Sequence, residues 1–242
     1  MKVVRNAGND RVINLIASEL KAGHHLDLMT SELSLYAIES VVDQLDKLGR
    51  TRLLLPPEGA DLCYLGSLSD RRARNRLQSR WLARRCAEWM ERHVETRRAI
   101  GAVPQGTLVI RDAMGTPQQA LLGSFSFTTD GLGITPGNPL SFIQTTETPE
   151  EAQHLGRWFD GQWASLPAEA GDRGRLVDAL RAMAAHGRPS STYALILHHL
   201  FGNHGDTLDE EQIVKSATGI RNTVVWQKLY KFQRDGVVGA ID

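Results

Sequence analysis

Apolar residues recur along the first third of the chain at two spacings, which distinguish helices from strands. A repeat of three to four positions predicts helices over residues 11–20 and 32–48, with Ser31 as the candidate N-cap of the second. Short runs of apolar and β-branched residues at 25–30 and 51–55 predict strands. This β-α-β order favours a parallel sheet that is covered by helices.

Predicted helices and strands continue to alternate through the middle of the chain, and only helices are predicted after residue 145. Helical repeats predict helices over 71–92, 149–163, 176–186 and 191–201, and short runs predict strands over 94–98, 107–111, 120–126 and 141–145. After Pro167 the residues become small and polar, which indicates a joint. The sequence thus predicts an α/β domain over 1–166, with a mixed or parallel sheet flanked by helices, and an all-α extension over 167–242.

The composition is that of an ordinary globular protein, with 41% hydrophobic residues in 242. No apolar run approaches the ~18 residues of a membrane span, and the first residues lack the apolar core of a secretory signal. Cys63 and Cys86 stand alone, without a CxxC spacing. These features predict a protein of the reducing cytoplasm with no membrane association.

Positive charge is concentrated in one segment, although the formal net charge of the chain is zero. Residues 70–98 hold four acidic residues and ten arginines, namely Arg71, Arg72, Arg74, Arg76, Arg80, Arg84, Arg85, Arg92, Arg97 and Arg98. An excess of this size can bind phosphate groups, and all of these except Arg92 are the candidate nucleic-acid contacts. The alternative is an ordinary solvated helix face.

The region after this segment resembles the active site of the phospholipase D superfamily. It reads Gln105-Gly-Thr-Leu-Val-Ile-Arg-Asp112, followed by Gly123-Ser-Phe-Ser-Phe-Thr-Thr-Asp-Gly-Leu-Gly133. The family pattern is HxK, four residues and Asp, then a GSxN-like turn, and the resemblance implies a phospholipase-D-like fold. In the family the His is the nucleophile, while the Lys and the turn neutralise phosphate charge.

The groups that perform that chemistry are missing from this chain. Gln105 stands at the His position and Thr107 at the Lys position, while Asp112 stays in register and the turn carries Ser124 and Ser126. Glutamine cannot act as a nucleophile, and threonine cannot hold a positive charge. The resemblance therefore implies a scaffold without catalysis; alternatively, the segment is an ordinary strand end and turn.

A second resemblance lies near the other end of the chain. Leu229-Tyr-Lys-Phe-Gln-Arg-Asp-Gly-Val-Val-Gly-Ala-Ile241 is similar to the segment that precedes the phosphate-binding loop in bacterial superfamily 2 helicases of the Swi/Snf type. The resemblance implies that Gln233, with Phe232 nearby, reads the adenine of ATP in a full-length motor that also binds Mg²⁺. The chain contains no GxxxxGK[ST] motif, so we expect it to be truncated before the ATPase core. The alternative is a plain amphipathic helix.

No metal site is predicted from the histidines. His24 and His25 form one pair, and His198, His199 and His204 form a second group, but neither cysteine lies at ligand spacing from them. We expect no cofactor in this chain by itself.

These observations favour a non-catalytic accessory domain that engages DNA or RNA for a covalently linked, ATP-dependent helicase or translocase. One alternative is a protein-interaction or homodimerisation module, with Trp81, Trp89 and Met90 as its apolar interface. A phosphodiesterase or nuclease would need a basic nucleophile that the sequence lacks. In the leading interpretation Arg97 and Arg98 lie at the rim of the former active site.

Overall fold

A mixed sheet of seven strands forms the centre of the described structure. The computed structural model describes residues 1–60, 62–66, 70, 79–168 and 171–185. Its strands are β1 (Lys2–Val4), β2 (His25–Met29), β3 (Arg50–Leu55), β4 (Val94–Arg98), β5 (Gly106–Arg111), β6 (Pro117–Gly123) and β7 (Ile143–Thr145). Its helices are α1 (Val12–Glu19), α2 (Leu35–Glu39), α3 (Val42–Leu45), α4 (Ser79–His93), α5 (Pro149–Ser165) and α6 (Asp172–Ala185).

The order of the strands is β1-β7-β6-β5-β2-β3-β4. Strands β2, β3 and β4 run parallel to their neighbours in this group, and all other pairs are antiparallel. The predicted α/β class and mixed sheet are confirmed, and the parallel part coincides with the β-α-β segment of the sequence. The antiparallel part follows from tight connections such as the hairpin between β5 and β6.

The two faces of the sheet carry separate cores because side chains alternate along each strand. On β2, Leu26 and Leu28 join the larger core, to which α1, α2, α3, α4 and α6 also contribute. Met29 points to the opposite face, where Phe159 and Trp163 of α5 complete a smaller core. The sheet is therefore buried between two helical layers.

The chain divides into two compact units, Met1–His186 and Gly187–Asp242, and every described residue lies in the first. This unit extends past residue 166, where the sequence predicted the first domain to end. Helix α6 belongs to it because Leu176, Val177 and Leu180 are buried in the larger core.

The predicted helix over 32–48 is two short helices instead. Helix α2 ends at Glu39 with Ser40 as its C-cap, and the backbone of Val41 (φ −134°, ψ 11°) interrupts the helical path before α3. The N-cap of α2 is Ser34, whose Oγ accepts a hydrogen bond from Tyr36 N at 3.2 Å, and not Ser31 as the sequence suggested. Strand β1 was not predicted, because three residues carry too little pattern to be recognised.

A cluster of four charged side chains holds α5 against the face of the sheet that carries the smaller core. Asp27 accepts two hydrogen bonds from Arg52, at 2.6 and 2.7 Å, and one from Arg111 at 2.6 Å. Both arginines also bind Asp160 of α5, at 2.7 and 2.9 Å. Burial lowers the pKa of Arg52, but the hydrogen bonds it donates to Asp27 and Asp160 outweigh burial and raise that pKa overall. The cluster holds two positive and two negative groups, which is how charges become tolerable in a core.

Candidate functional site

A polar cavity of about 270 Å³ opens where the carboxyl ends of β2 and β6 meet the amino end of β5. Strands β2 and β5 are antiparallel and pair Met29 with Thr107, so the residues after β2 lie beside those before β5. Polar groups dominate the lining, which includes Asn6, Ser31, Glu32, Gln105, Ser124, Ser126, Thr128, Asp130, Asn138 and Ser141. The cavity therefore brings together Gln105, Ser124 and Ser126, three of the residues on which the sequence resemblance to the phospholipase D superfamily depends.

Hydrogen bonds join the turn after β6 to the segment after β2. Ser31 Oγ and Ser126 Oγ lie 2.7 Å apart, and Thr30 Oγ1 accepts a hydrogen bond from Phe127 N at 2.8 Å. Ser34 N donates to Phe127 O at 2.9 Å. Because backbone and hydroxyl groups fix both segments, the cavity wall is set by the fold rather than by long side chains.

Glycine is required where these segments approach each other most closely. A Cβ on Gly106 would overlap the backbone oxygen of Phe125, and one on Gly131 would overlap that of Ser126. The turn residues of the Gly123–Gly133 stretch thus hold the cavity in shape, which accounts for their pattern without any catalytic role.

The electrostatics of the cavity do not suit a phosphate group. None of the described residues that line it is Lys, Arg or His, whereas Glu32 and Asp130 bring carboxylates to its wall. The Asp130 Oδ1 atom is buried and has no hydrogen-bond partner among the described residues. Among the described lining residues a phosphate would meet carboxylates and no cation, so these residues do not favour tight binding of a polyanion inside the cavity.

Thr107 and Asp112 do not reach this cavity. Thr107 is fully buried in β5, with an Oγ1 atom that has no partner in the described structure. Asp112 lies at the far end of β5, where its carboxylate accepts hydrogen bonds from Met114 N and Thr116 N, each at 2.9 Å. The hydrogen bond from Thr116 is the main reason why the pKa of Asp112 lies below its ordinary value. Its place in the structure is that of a turn cap.

The predicted nucleic-acid contacts fall into three groups. Arg71, Arg72, Arg74 and Arg76 lie outside the described residues. Arg80, Arg84 and Arg85 lie on α4, where Arg84 is exposed and Arg85 forms ion pairs with Asp43, at 3.5 Å, and with Asp46. The third group, Arg97 and Arg98, lies on β4.

Arg97 and Arg98 do not lie at the rim of the cavity, because α5 and α6 engage them. Arg97 donates hydrogen bonds to Trp163 O and to Leu166 O, the latter at 2.7 Å, and its guanidinium lies 4.9 Å from the Trp163 ring centroid. Arg98 binds the buried carboxylate of Asp172 at 2.9 Å. Both side chains hold helices on the sheet.

The apolar interface suggested by the sequence is largely absent from the surface. Trp89 and Met90 are 1% and 0% exposed, so they belong to the core, which leaves Trp81 as the exposed member at 49%. Phe232 and Gln233, the predicted adenine contacts, lie outside the described residues.

Three residues that line the cavity were not predicted from the sequence: Asn6, Glu32 and Asp130. The place of Glu32 could have been predicted, because residues that follow a strand in a β-α-β unit lie at the carboxyl edge of the sheet. No local pattern marks Asn6, because its partners are distant in sequence. Its Nδ2 donates to Asp130 O and Gly131 O, at 3.2 and 2.9 Å, more than a hundred residues away.

The described residues contain no group of three or more His, Cys, Asp or Glu side chains arranged to hold a metal ion. His198, His199 and His204 lie outside them. Cys86 is buried, and burial raises the pKa of its thiol. Within the described part of the chain, no helix has the length and apolar character that a membrane crossing requires.

Comparison with known proteins gives little more than a distant likeness. No family model and no curated protein matches the chain. One solved structure that it resembles is TrmBL2, an archaeal chromatin protein described as showing a novel mode of DNA binding. The two are 11% identical with a TM-score of 0.33, and the match covers 69% of this chain and 54% of the other. At this distance the likeness carries no argument about function.

Proposed function

We propose that this chain is a non-catalytic accessory domain that engages nucleic acid for an ATP-dependent helicase or translocase. The observation that carries the proposal is a separation of charge. The cavity at Gln105 holds carboxylates, hydroxyls and amides, while arginines lie outside it on α4. Such an arrangement suits binding of a polyanion on the outer surface and not its cleavage inside the cavity.

The absence of catalysis follows from what phosphodiester transfer requires. A nucleophile must attack phosphorus, and cations must neutralise the equatorial oxygens of the transition state. Gln105 supplies neither, and the described lining of the cavity offers no basic side chain to replace it. The serine hydroxyls are also without a base, because no histidine lines the described cavity wall.

The binding surface would be the solvent-facing side of α4, together with the arginine-rich residues that precede it in sequence. Helix α4 buries Leu82, Ala83, Cys86, Trp89 and Met90, and its exposed side carries Arg84 and Arg92. Contacts from such side chains go to phosphate oxygens, which gives affinity without sequence recognition. The resemblance at 229–241 supports the further proposal of a linked motor, which would bind ATP and Mg²⁺.

Binding should be salt-dependent, and it should weaken when Arg84 and Arg92 become glutamine. Fluorescence anisotropy with labelled DNA and RNA, between about 50 and 200 mM salt, measures both the affinity and the slope of log K against log salt. For the double variant we expect a slope smaller by about 2, since each lost phosphate contact removes about 1.

Arg157→Gln is the matched control, because Arg157 is also exposed but lies on α5, where its hydrogen bond within the described residues is to His154, at 3.0 Å. It should leave affinity and slope unchanged. A wild-type protein without affinity for DNA or RNA at low salt would end the proposal. An equal loss of affinity in the Arg157 variant would also contradict the proposal, because the effect would then not depend on where on the surface the arginine lies.

The purified chain should not hydrolyse phosphodiesters. An assay with a chromogenic phosphodiester and with labelled single and double strands should give the rate of the buffer alone, because the described lining of the cavity holds no basic side chain to activate a hydroxyl or to neutralise phosphate charge. If hydrolysis is found and Glu32→Gln or Gln105→Ala abolishes it, the cavity is an active site and the non-catalytic proposal is wrong.

A further inference from the structure

Helix α4 carries an exposed aromatic ring at its amino end that core packing does not explain. The ring belongs to Trp81, which is 49% exposed, although the next turns of the helix bury Trp89 and Met90. Arg84 follows three positions later, so it lies on the same side of the helix as Trp81. The helix thus presents a flat aromatic surface next to an exposed cation.

The ring is held in place. The Arg85 guanidinium lies 5.3 Å from the Trp81 ring centroid, and Arg85 is itself bound by Asp46 and Asp43 of α3. The start of the helix is anchored by the contact of Ser79 Oγ with the Tyr36 hydroxyl at 3.2 Å. One side of the indole therefore rests on an immobilised cation, which reduces the entropy that a ligand would lose on stacking against the ring.

We propose that Trp81 is a stacking platform for an unpaired base, and hence that the nucleic acid engaged by α4 is single-stranded. This inference rests on the proposed function. In a duplex each base is covered on both faces by its neighbours, so a ring on the convex surface of a helix has no base to stack on. In a single strand the base faces are accessible, and aromatic stacking combined with backbone contacts from arginine is the usual way to bind one. Arg84 is placed to contact the phosphate beside the stacked base.

Three variants, compared with wild type, separate stacking from other effects: Trp81→Ala, Trp81→Phe and Trp158→Ala, each titrated with a single strand and with a duplex of the same sequence. Trp158 is the matched control, since it is 40% exposed on α5. We expect Trp81→Ala to weaken single-strand binding about 5- to 150-fold, the range of one lost stack. Trp81→Phe should keep much of the affinity, Trp158→Ala should keep all of it, and the duplex affinity should not change in any variant.

Several results would overturn the inference. If wild type binds duplex and Trp81→Ala leaves single-strand affinity intact, Trp81 is no platform, yet the proposed function stands. If wild type binds neither, the proposed function itself fails. An equal loss on both substrates, or a lowered unfolding midpoint in Trp81→Ala, would show a structural role. A change in molar mass by light scattering without a change in nucleic-acid affinity would instead assign Trp81 to a protein interface.

Discussion

Replacing Asp27 by asparagine should lower the free energy of unfolding by about 3–5 kcal/mol, the cost of breaking a buried ion pair by removing one partner. The Asp27 side chain is 2% exposed and receives three hydrogen bonds, two from Arg52 and one from Arg111. Without its charge, two guanidinium groups would face each other beneath α5. Of the two carboxylates in the cluster, only that of Asp160 would remain, and it is 45% exposed. Urea denaturation monitored by circular dichroism measures the loss.

The exposed pair of Arg50 and Glu95 is the control for this prediction. It has two hydrogen bonds of 2.8 Å each, but both side chains are nearly half exposed. Glu95→Gln should therefore cost no more than about 1 kcal/mol. The hydrogen bonds from Arg50 hold the pKa of Glu95 below its ordinary value. Its small contribution is therefore present at neutral pH and is lost as the pH falls through the lowered pKa. If Asp27→Asn and Glu95→Gln lower the free energy of unfolding equally, burial does not decide the strength of these ion pairs.

Alanine at Gly123 should destabilise the protein by about 2–4 kcal/mol, from backbone strain and overpacking together. The residue has φ +143°, which side chains other than that of glycine rarely adopt, and an added Cβ would overlap Phe142 O and the Cα of Ile143. Gly123 pairs with Gly106 on one side and with Ile143 on the other. The next residue, Ser124, donates its N–H to Phe142 O at 2.9 Å, so a shift here also displaces the cavity wall.

Gly161→Ala is the matched change in α5, where nothing lies within 4 Å of the added Cβ. Alanine loses less backbone entropy than glycine when a helix forms, so this variant should gain about 0.5–1 kcal/mol. Thermal and urea unfolding of both variants gives the comparison. A Gly123 variant as stable as wild type would mean that the β6–β7 junction can relax, and that the glycine is not needed there.

Several elements could be predicted from local pattern alone. Strands β2 and β3 lie within one residue of their predicted ranges, because glycine and proline mark the limits of their apolar and β-branched runs, and β4 occupies its predicted range 94–98. The helical stripe of α1 was equally clear, with Val12 and Ile16 fully buried. The phospholipase-D-like family and the linked helicase stay predictions.

The arginines show which contacts could not be predicted from the sequence. Arg97 and Arg98 were expected near the former active site, and Arg85 was expected to contact phosphate. Their observed partners lie on α5, α6 and α3, between 39 and 74 positions away in sequence. Charge density along the chain does not reveal such pairings, since they depend on which elements the fold brings together. The alternative interpretation that placed Trp89 and Met90 in an apolar interface fails for the same reason, because the neighbours of α4 bury both side chains.

The sequence by itself determined that positions 105 and 107 carry glutamine and threonine, which are neither a basic nucleophile nor a cation, and where apolar runs become strands and helices. These are properties of side-chain chemistry and short-range periodicity, and no folding can add an imidazole to Gln105. Tertiary structure alone decided that the cavity has an acidic wall and that Arg52, Arg97, Arg98 and Arg111 face inward while Arg84 faces solvent. The reason is that burial and ion pairing join residues far apart in the chain, and their free energy depends on the distance between groups in space.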